Sequence, residues 1–185
     1  MKKILMVIAP EQFRDEEYVE PRKVFEQAGI GVTVVSSRPG KAVGKFGLEV
    51  GVDKTLKEVH ATDYDAVVFV GGTGSRVYFE DPEAHRLVRE AETSERIIGA
   101  ICAAPGTLAK TGLLKGKRAT SYSEEMELLK QGGAIFTGKP VEVDGRIITG
   151  DGPQSATAFG EKIVEMLNQI RNSKFETNSN DRNSL

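Results

Sequence analysis

The sequence predicts one α/β domain built as a three-layer sandwich, in which helices cover both faces of a doubly wound, mostly parallel sheet. Its apolar runs are short and continuous, as expected for parallel strands that are buried on both faces. These runs alternate with helical patterns almost throughout the chain, which is typical of this architecture. A length of 185 residues suits a single domain. We therefore expect one domain over residues 1–171.

The elements are predicted in order from these patterns. Apolar runs indicate strands at residues 3–8, 32–36, 66–70, 96–101 and 118–121. Helical segments follow at residues 15–28, 81–93, 123–131 and 154–170, with a short helix of small residues after residue 102. Asp81 followed by Pro82 is a typical helix start, and Gly29 stands where helices commonly end.

Three segments depart from this alternation. Residues 48–53 alternate apolar and polar side chains, which predicts a half-exposed excursion of the chain. Residues 141–148 predict a small β-hairpin, because the Asp144-Gly145 pair suits a tight turn. The polar residues 172–185 predict a disordered tail.

Composition restricts the classes of function. The formal net charge of −2, with basic and acidic residues interleaved, gives no reason to expect nucleic acid or a membrane as a partner. No apolar stretch approaches the roughly 20 residues of a membrane span. A single cysteine cannot form an internal disulfide, which favours a cytoplasmic location.

That cysteine, Cys102, lies where a strand turns abruptly into a helix. Ala100 and Ala104 flank it at two residues on either side, a relaxed form of the small-residue pattern around a nucleophile at such turns. The N–H groups of a helix N-terminus stabilise a thiolate, so the pattern predicts a reactive thiol with a pKa below the usual ~8.5. The alternative is a small buried cysteine that serves only as a core residue.

Gly71 and Gly72 end a neighbouring strand. Glycine lets backbone N–H groups approach a ligand closely, so the N–H groups of Gly72 and Ala103 could form an oxyanion hole. An ordinary turn between strand and helix explains the same residues equally well. The sequence from Gly71 to Gly74 matches a dinucleotide-binding fingerprint poorly, and no cofactor or metal is predicted.

Together these features resemble the ThiJ/PfpI superfamily over roughly residues 3–167. The resemblance implies a flavodoxin-like fold, close to that of class I glutamine amidotransferases, and a homodimer or hexamer. The motifs that carry it are Ala100 to Pro105, Phe69 to Gly72, Glu17 four residues before Pro21, Thr120 to Tyr122, and Ile148 to Pro153.

In such proteins the residue that matches Glu17 hydrogen-bonds the cysteine sulfur. A carboxyl beside a partly buried thiolate should have a raised pKa and remain protonated, so that it can donate. Asp15 and Glu16 are the competing acids; we assign Asp15 to helix capping and Glu16 to solvent. Without the resemblance, the acidic cluster would be interpreted as a solvated first helical turn.

The departures from the family pattern concern histidine. Protease-type members carry histidine directly after the cysteine, where this chain has Ala103, and deglycase-type members often have it where Tyr122 stands. His60 is expected in a loop and His85 on an exposed helix face, so a Cys-His pair is not expected. Asp151 stands where relatives often carry a basic residue, a difference that is expected to alter the pocket rim. Gly71, Tyr122 and Asp151 are together expected to form part of the pocket.

Three functions remain open at this point. The first is a cofactor-independent enzyme of the glyoxalase or deglycase type, in which Cys102 and Glu17 act on methylglyoxal or on modified protein side chains. The second is a stress sensor or chaperone in which Cys102 is oxidised to a sulfinate. The third is an intracellular cysteine peptidase, which the missing histidine disfavours.

Overall fold

A computed structural model describes residues 1–180, apart from the side chains of residues 171 and 173–180. The strands are β1 Lys3–Val7, β2 Glu11–Phe13, β3 Gly31–Ser36, β4 Gly40–Gly44, β5 Glu49–Val52, β6 Lys54–Thr55, β7 Ala66–Phe69, β8 Ile97–Ile101, β9 Arg118–Ala119, β10 Ile135–Phe136, β11 Val141–Asp144 and β12 Ile147–Gly150. The α-helices are α1 Asp15–Gln27, α2 Pro82–Thr93, α3 Pro105–Lys110, α4 Met126–Gln131 and α5 Ala156–Asn180.

Seven strands form the central sheet in the order β11-β12-β8-β7-β1-β3-β6. All neighbours are parallel except the β11–β12 hairpin, which is antiparallel. Every residue of β7 and β8 is buried, which explains why these strands are continuous apolar runs. The predicted fold class, a doubly wound and mostly parallel sheet with helices on both sides, is confirmed.

The chain order reverses beside β1, and this places the loops that matter for function. β3 lies on one side of β1, and β7 and β8 lie on the other. Open α/β sheets bind ligands at the carboxyl ends of the strands beside such a reversal. The loops after β1, β7 and β8 meet at this edge, and the last of them contains Cys102.

Two smaller ladders lie outside the central sheet. β2, β4 and β5 form a three-stranded sheet, and β5 lies within the half-exposed excursion predicted at residues 48–53. The short strand predicted at residues 118–121 is β9, and within the described part of the chain it pairs with β10 alone. The β2–β4–β5 sheet contributes one side of the site described below.

Helix α1 is held close to α5, which fixes the position of the acidic residues in its first turn. At the contact, a Cβ on Gly160 would lie 2.9 Å from Pro21 Cα, so glycine is needed for this approach.

The final helix is longer than the predicted 154–170, because α5 continues to Asn180. Of the predicted disordered tail over 172–185, residues 181–185 lie outside the described residues. Within the described part of the chain, no helix combines the length and apolarity needed to cross a membrane.

Candidate active site

Cys102 occupies the turn between the end of β8 and the start of α3. Its φ is 63°, a left-handed conformation that costs a residue with a side chain about 1 to 3 kcal/mol. Two backbone hydrogen bonds hold it there. Cys102 N–H donates to the carbonyl of Gly150 at 2.9 Å, and the N–H of Tyr122 donates to the carbonyl of Cys102 at 2.9 Å. The predicted sharp turn is therefore present and braced by two neighbouring segments.

Gly71 and Gly72 are required by close packing around this turn. A Cβ on Gly71 would lie 2.4 Å from Glu17 Oε2 and 2.6 Å from Cys102 Cβ, so any side chain would displace both groups. Gly72 has a φ of 98°, and a Cβ on it would lie 2.5 Å from the Arg14 backbone nitrogen. Glycine at both positions lets the loop after β7 reach the cysteine.

Glu17 lies in the first turn of α1 and is fully buried against Cys102 and Gly71. Burial raises its pKa from 4.5 to about 8, and the nearby Cys102 thiol and Arg14 guanidinium offset this only in part. Neither carboxyl oxygen makes a hydrogen bond of good geometry to a described residue. The carboxyl is therefore protonated at neutral pH, with the raised pKa that the sequence predicts.

The pKa of the Cys102 thiol shifts in the opposite direction from the prediction. Burial and the negative charge of Glu17 raise it from 9.0 to about 12, although the N–H groups of Gly72 and Ala103 act to lower it. The prediction considered the turn's N–H groups but not the dehydration of a thiol that is only 9% exposed. The expected lowered pKa is therefore wrong, and the resting form is a thiol.

Cys102 and Glu17 titrate as a pair. The repulsion that raises the thiol pKa exists only while Glu17 is ionised, and Glu17 is neutral below a pH of about 8. The first proton to leave the pair can come from either group, so a thiolate beside a neutral carboxyl is a tautomer of a thiol beside a carboxylate. Moving one proton between the two groups therefore produces the nucleophile while the net charge of the pair stays the same.

The N–H groups of Gly72 and Ala103 both face the sulfur, where they favour its charged form. Neither donates to a backbone carbonyl of the described residues. Two such donors beside a nucleophile suit the stabilisation of negative charge on an oxygen attached to the reacting carbon. The predicted oxyanion hole thus has its donors next to Cys102, and its role in a reaction remains a prediction.

Above Cys102 lies a cavity of about 680 Å³. Five of the predicted site residues line it, namely Cys102, Gly72, Ala103, Tyr122 and Asp151. Glu17 and Gly71 do not line it, because both are buried behind the cysteine. Gly71 was predicted as a pocket residue, and its place is instead the packing contact beneath the thiol.

Tyr122 and Asp151 lie on one side of this cavity. Tyr122 lines the cavity, and its side chain is 45% exposed. The Asp151 carboxylate accepts a hydrogen bond from the Ser155 hydroxyl, and its N–H donates to the carbonyl of Pro140 at 3.0 Å. Both residues are thus held on the rim where the sequence places them.

The structure also assigns Asp15 and Glu16 different roles from those predicted. No side chain caps α1, and the Asp15 carboxylate instead accepts the N–H groups of Phe46 and Leu48 at 3.0 Å each. Glu16 pairs with Arg14, with Nε and Oε2 2.8 Å apart, rather than facing solvent alone. The partners of Asp15 lie about thirty residues further along the chain, so helix-start rules could not identify them.

Three basic residues at the cavity were not predicted, namely Arg14, Lys45 and Arg76. Arg14 directly precedes the acidic cluster, which was the available signal. Lys45 comes from the loop between β4 and β5, and Arg76 from the 3₁₀ helix Thr73–Tyr78. The last two are distant from the cysteine in sequence, and only the tertiary fold brings them to it.

The two histidines lie away from the cavity. His60 is exposed and faces Glu90, with Nδ1 and Oε1 3.2 Å apart. His85 is half-buried rather than exposed, because its Nε2 lies 2.7 Å from the Phe79 carbonyl oxygen. Neither lines the cavity with Cys102. Among the side chains that the structure describes, no cluster of three or more histidine, cysteine or acidic groups could hold a metal ion.

Comparison with known proteins gives consistent matches. A sequence model of the DJ-1/PfpI family matches residues 2–166. An uncharacterised protein of Methanocaldococcus jannaschii is 44% identical over 168 residues, which cover 89% of this chain and 82% of that protein. The deglycase PfpI of Pyrococcus furiosus is 30% identical over 88% of this chain and 98% of that protein. The crystal structure of a ThiJ/PfpI domain protein from Brachyspira murdochii has a TM-score of 0.88 at 34% identity, covering 90% and 96% of the two chains.

Proposed function

Because this chain belongs to the DJ-1/PfpI family, we propose that it is a cysteine-dependent enzyme of the glyoxalase or deglycase type that acts on reactive aldehydes such as methylglyoxal. The observation that carries the proposal is a thiol on the floor of a cavity, backed by a carboxyl whose pKa is about 8. A group that titrates near neutral pH is suited to accept and return a proton during a reaction. The absence of a histidine among the described cavity residues favours this chemistry over peptide hydrolysis.

In the first step, Cys102 adds to the aldehyde carbon of methylglyoxal. A carbon–sulfur bond forms as the carbonyl π bond opens, and the thiol proton reaches the new oxygen by way of Glu17. The N–H groups of Gly72 and Ala103 stabilise the negative charge on that oxygen before it is protonated. The product is a hemithioacetal on Cys102.

In the second step, Glu17 moves a proton between carbons. Glu17 donates its proton to the ketone oxygen and, as the carboxylate, removes the proton from the former aldehyde carbon, which gives an enediol. Glu17 then returns that proton to the neighbouring carbon and takes up the proton of the hydroxyl group beside the sulfur, which gives a lactoyl thioester. Water then releases lactate and the free thiol. Because methylglyoxal plus water equals lactic acid, the reaction requires no external oxidant or reductant.

The proposal is tested by following methylglyoxal loss and lactate formation with the purified protein. Cys102→Ala should abolish turnover, and Glu17→Gln should lower kcat by about 100-fold or more, because glutamine cannot transfer the proton. Glu20→Gln is the matched control, since Glu20 lies on the same helix and pairs only with Lys23 at 3.1 Å. Turnover that survives Cys102→Ala, or no turnover by the unaltered protein, would contradict the proposal.

The same geometry supports a second candidate, a sensor in which peroxide oxidises Cys102 to a sulfinate. A protonated Glu17 and the N–H groups of Gly72 and Ala103 could all donate to sulfinate oxygens. Mass spectrometry after mild peroxide treatment should then show a stable gain of two oxygens at Cys102. If the unaltered protein forms this species but Glu17→Gln is oxidised further to the sulfonate, the sensor function is favoured.

A further inference from the structure

The turn between β4 and β5 is fixed against the start of α1, beside the cavity. The Asp15 carboxylate binds the N–H groups of Phe46 and Leu48, and the N–H of Lys45 donates to the Phe13 carbonyl at 2.8 Å. A Cβ on Gly44 would lie 2.6 Å from Asp15 Oδ2, so the turn and the carboxylate are in close contact. The position of Lys45 is therefore set by backbone hydrogen bonds on both sides of it.

This turn places two cations around one aromatic ring. Arg14 Cζ lies 4.8 Å and Lys45 Nζ 5.9 Å from the centroid of Phe46, whose side chain is 62% exposed. Both cations line the cavity that contains Cys102. We call Arg14 and Lys45 together the cationic wall.

The charge of the cationic wall is only partly compensated. Arg14 donates to Glu16 through Nε and Nη2, and its Nη1 makes no hydrogen bond to a described residue. Lys45 Nζ has no carboxylate partner within 4.0 Å among the described side chains. By contrast, the third cation of the cavity, Arg76, is paired with both Glu124 and Glu125. The cavity cation without a directly paired carboxylate, Lys45, is therefore on the side formed by the β4–β5 turn.

We propose that the cationic wall binds an anionic group, a carboxylate or phosphate, carried by the molecule that reacts with Cys102. The substrate class would then be carbonyl compounds with a negative charge close to the reactive carbon. The carbonyl part of this statement rests on the proposed function, but the charge preference of the site does not. An ammonium offers a point charge and a guanidinium several donors, a combination suited to either anion.

Paired alkylating reagents test the charge preference without any turnover. Iodoacetate and iodoacetamide attach similar groups to the single cysteine and differ in charge, and intact-protein mass spectrometry follows both rates. Each rate is divided by the rate for a small neutral thiol at the same pH. Attraction between two unit charges about 4 Å apart changes a rate or an affinity about fivefold even in water. The normalised ratio of the iodoacetate rate to the iodoacetamide rate should therefore be about five. It should fall toward one in 1 M salt.

Variants identify the source of the preference. Lys45→Gln should lower the ratio about threefold to fivefold, and Arg14→Lys should keep it above one because the charge is retained. Lys41→Gln is the matched control, since Lys41 is on β4, pairs with Glu49 at 2.8 Å and does not line the cavity. A ratio near one in the unaltered protein, or an equal fall in Lys41→Gln and Lys45→Gln, would overturn the proposal.

A binding measurement covers the case in which alkylation is too slow to compare. Ligand-detected NMR of pyruvate against methyl pyruvate compares a carboxylate with its neutral ester. We expect pyruvate to bind more tightly than the ester, and Lys45→Gln to remove the difference; equal binding would overturn the proposal. Loss of methylglyoxal turnover together with a retained charge preference would contradict the proposed function alone.

Discussion

Replacing Glu17 with glutamine should remove a large part of the pH dependence of the protein's stability. In the folded protein the carboxyl has a pKa of about 8, whereas in the unfolded chain its pKa is near 4.5. Between these pH values the folded state keeps a proton that the unfolded state has lost. The free energy of unfolding therefore falls as pH rises through this window.

The size of the effect follows from the two pKa values. Below pH 4.5 the carboxyl is protonated in both states and contributes no pH dependence. Above pH 8 the full difference of about 3.5 pKa units applies, which corresponds to roughly 5 kcal/mol. At pH 7 the loss relative to pH 4.5 is about 3 kcal/mol. Glutamine does not titrate, so Glu17→Gln lacks this loss.

Urea denaturation at fixed protein concentration, from pH 4.5 to 8.5, measures the effect. The quantity to compare is the free energy of unfolding of Glu17→Gln minus that of the unaltered protein, which should increase by several kcal/mol across the range. Ionisation of the cysteine in the unfolded chain is common to both proteins and cancels in this difference, and burial, the largest cause of the raised thiol pKa, is retained in the variant. Glu20→Gln should show no such change.

A difference that stays constant from pH 4.5 to 8.5 would refute the reasoning. Changes in packing or hydrogen bonding caused by the amide would shift the difference by the same amount at every pH. Only a carboxyl with a raised pKa in the folded state gives the predicted slope. The slope thus separates the titration of Glu17 from a structural effect of its replacement.

Other perturbations probe different parts of the site. Gly71→Ala should destabilise the protein by about 1 to 3 kcal/mol, because the added methyl group clashes with Glu17 and Cys102. Gly51→Ala should not destabilise it, because the space around Gly51 is open, and thermal denaturation can compare the two variants. Asp15→Ala should increase hydrogen exchange at the two amides of the β4–β5 turn that bind its carboxylate; unchanged protection would contradict the assigned contact. Alkylation of Cys102 by iodoacetamide should be faster in Glu17→Gln at pH 8 to 9, because removing the carboxylate lowers the thiol pKa, and a slower rate would argue against that repulsion.

Much of the fold could be predicted because its signals are local. The buried strands β7 and β8 are continuous apolar runs, and Asp81 does cap α2 by accepting the N–H groups of Glu83 and Ala84 at 2.8 Å each. The turn at Cys102 was similarly visible, because it requires small flanking residues. Such features depend on neighbours in the chain, so the sequence alone contains the information.

The electrostatics of the site could not be predicted in the same way. The thiol pKa depends on how much water the surrounding elements exclude, and Cys102 becomes only 9% exposed through contacts with distant segments. The role of Asp15 depends on a turn about thirty residues further along the chain. Helix-start patterns carry no information about either contact, so the direction of the thiol shift and the function of Asp15 were both predicted incorrectly.

The two hydrogen bonds that brace the Cys102 backbone also couple the reactive turn to one side of the cavity. One joins it to Gly150, directly before Asp151, and the other joins it to Tyr122. Displacement of that rim would pull on the reactive turn itself. The opposite side is tied to the site as well, because the Arg14 N–H donates to the Gly71 carbonyl at 3.0 Å and the Asp15 carboxylate holds the β4–β5 turn. A bulky group, such as a modified side chain on another protein, would therefore have to fit the cavity without moving either side.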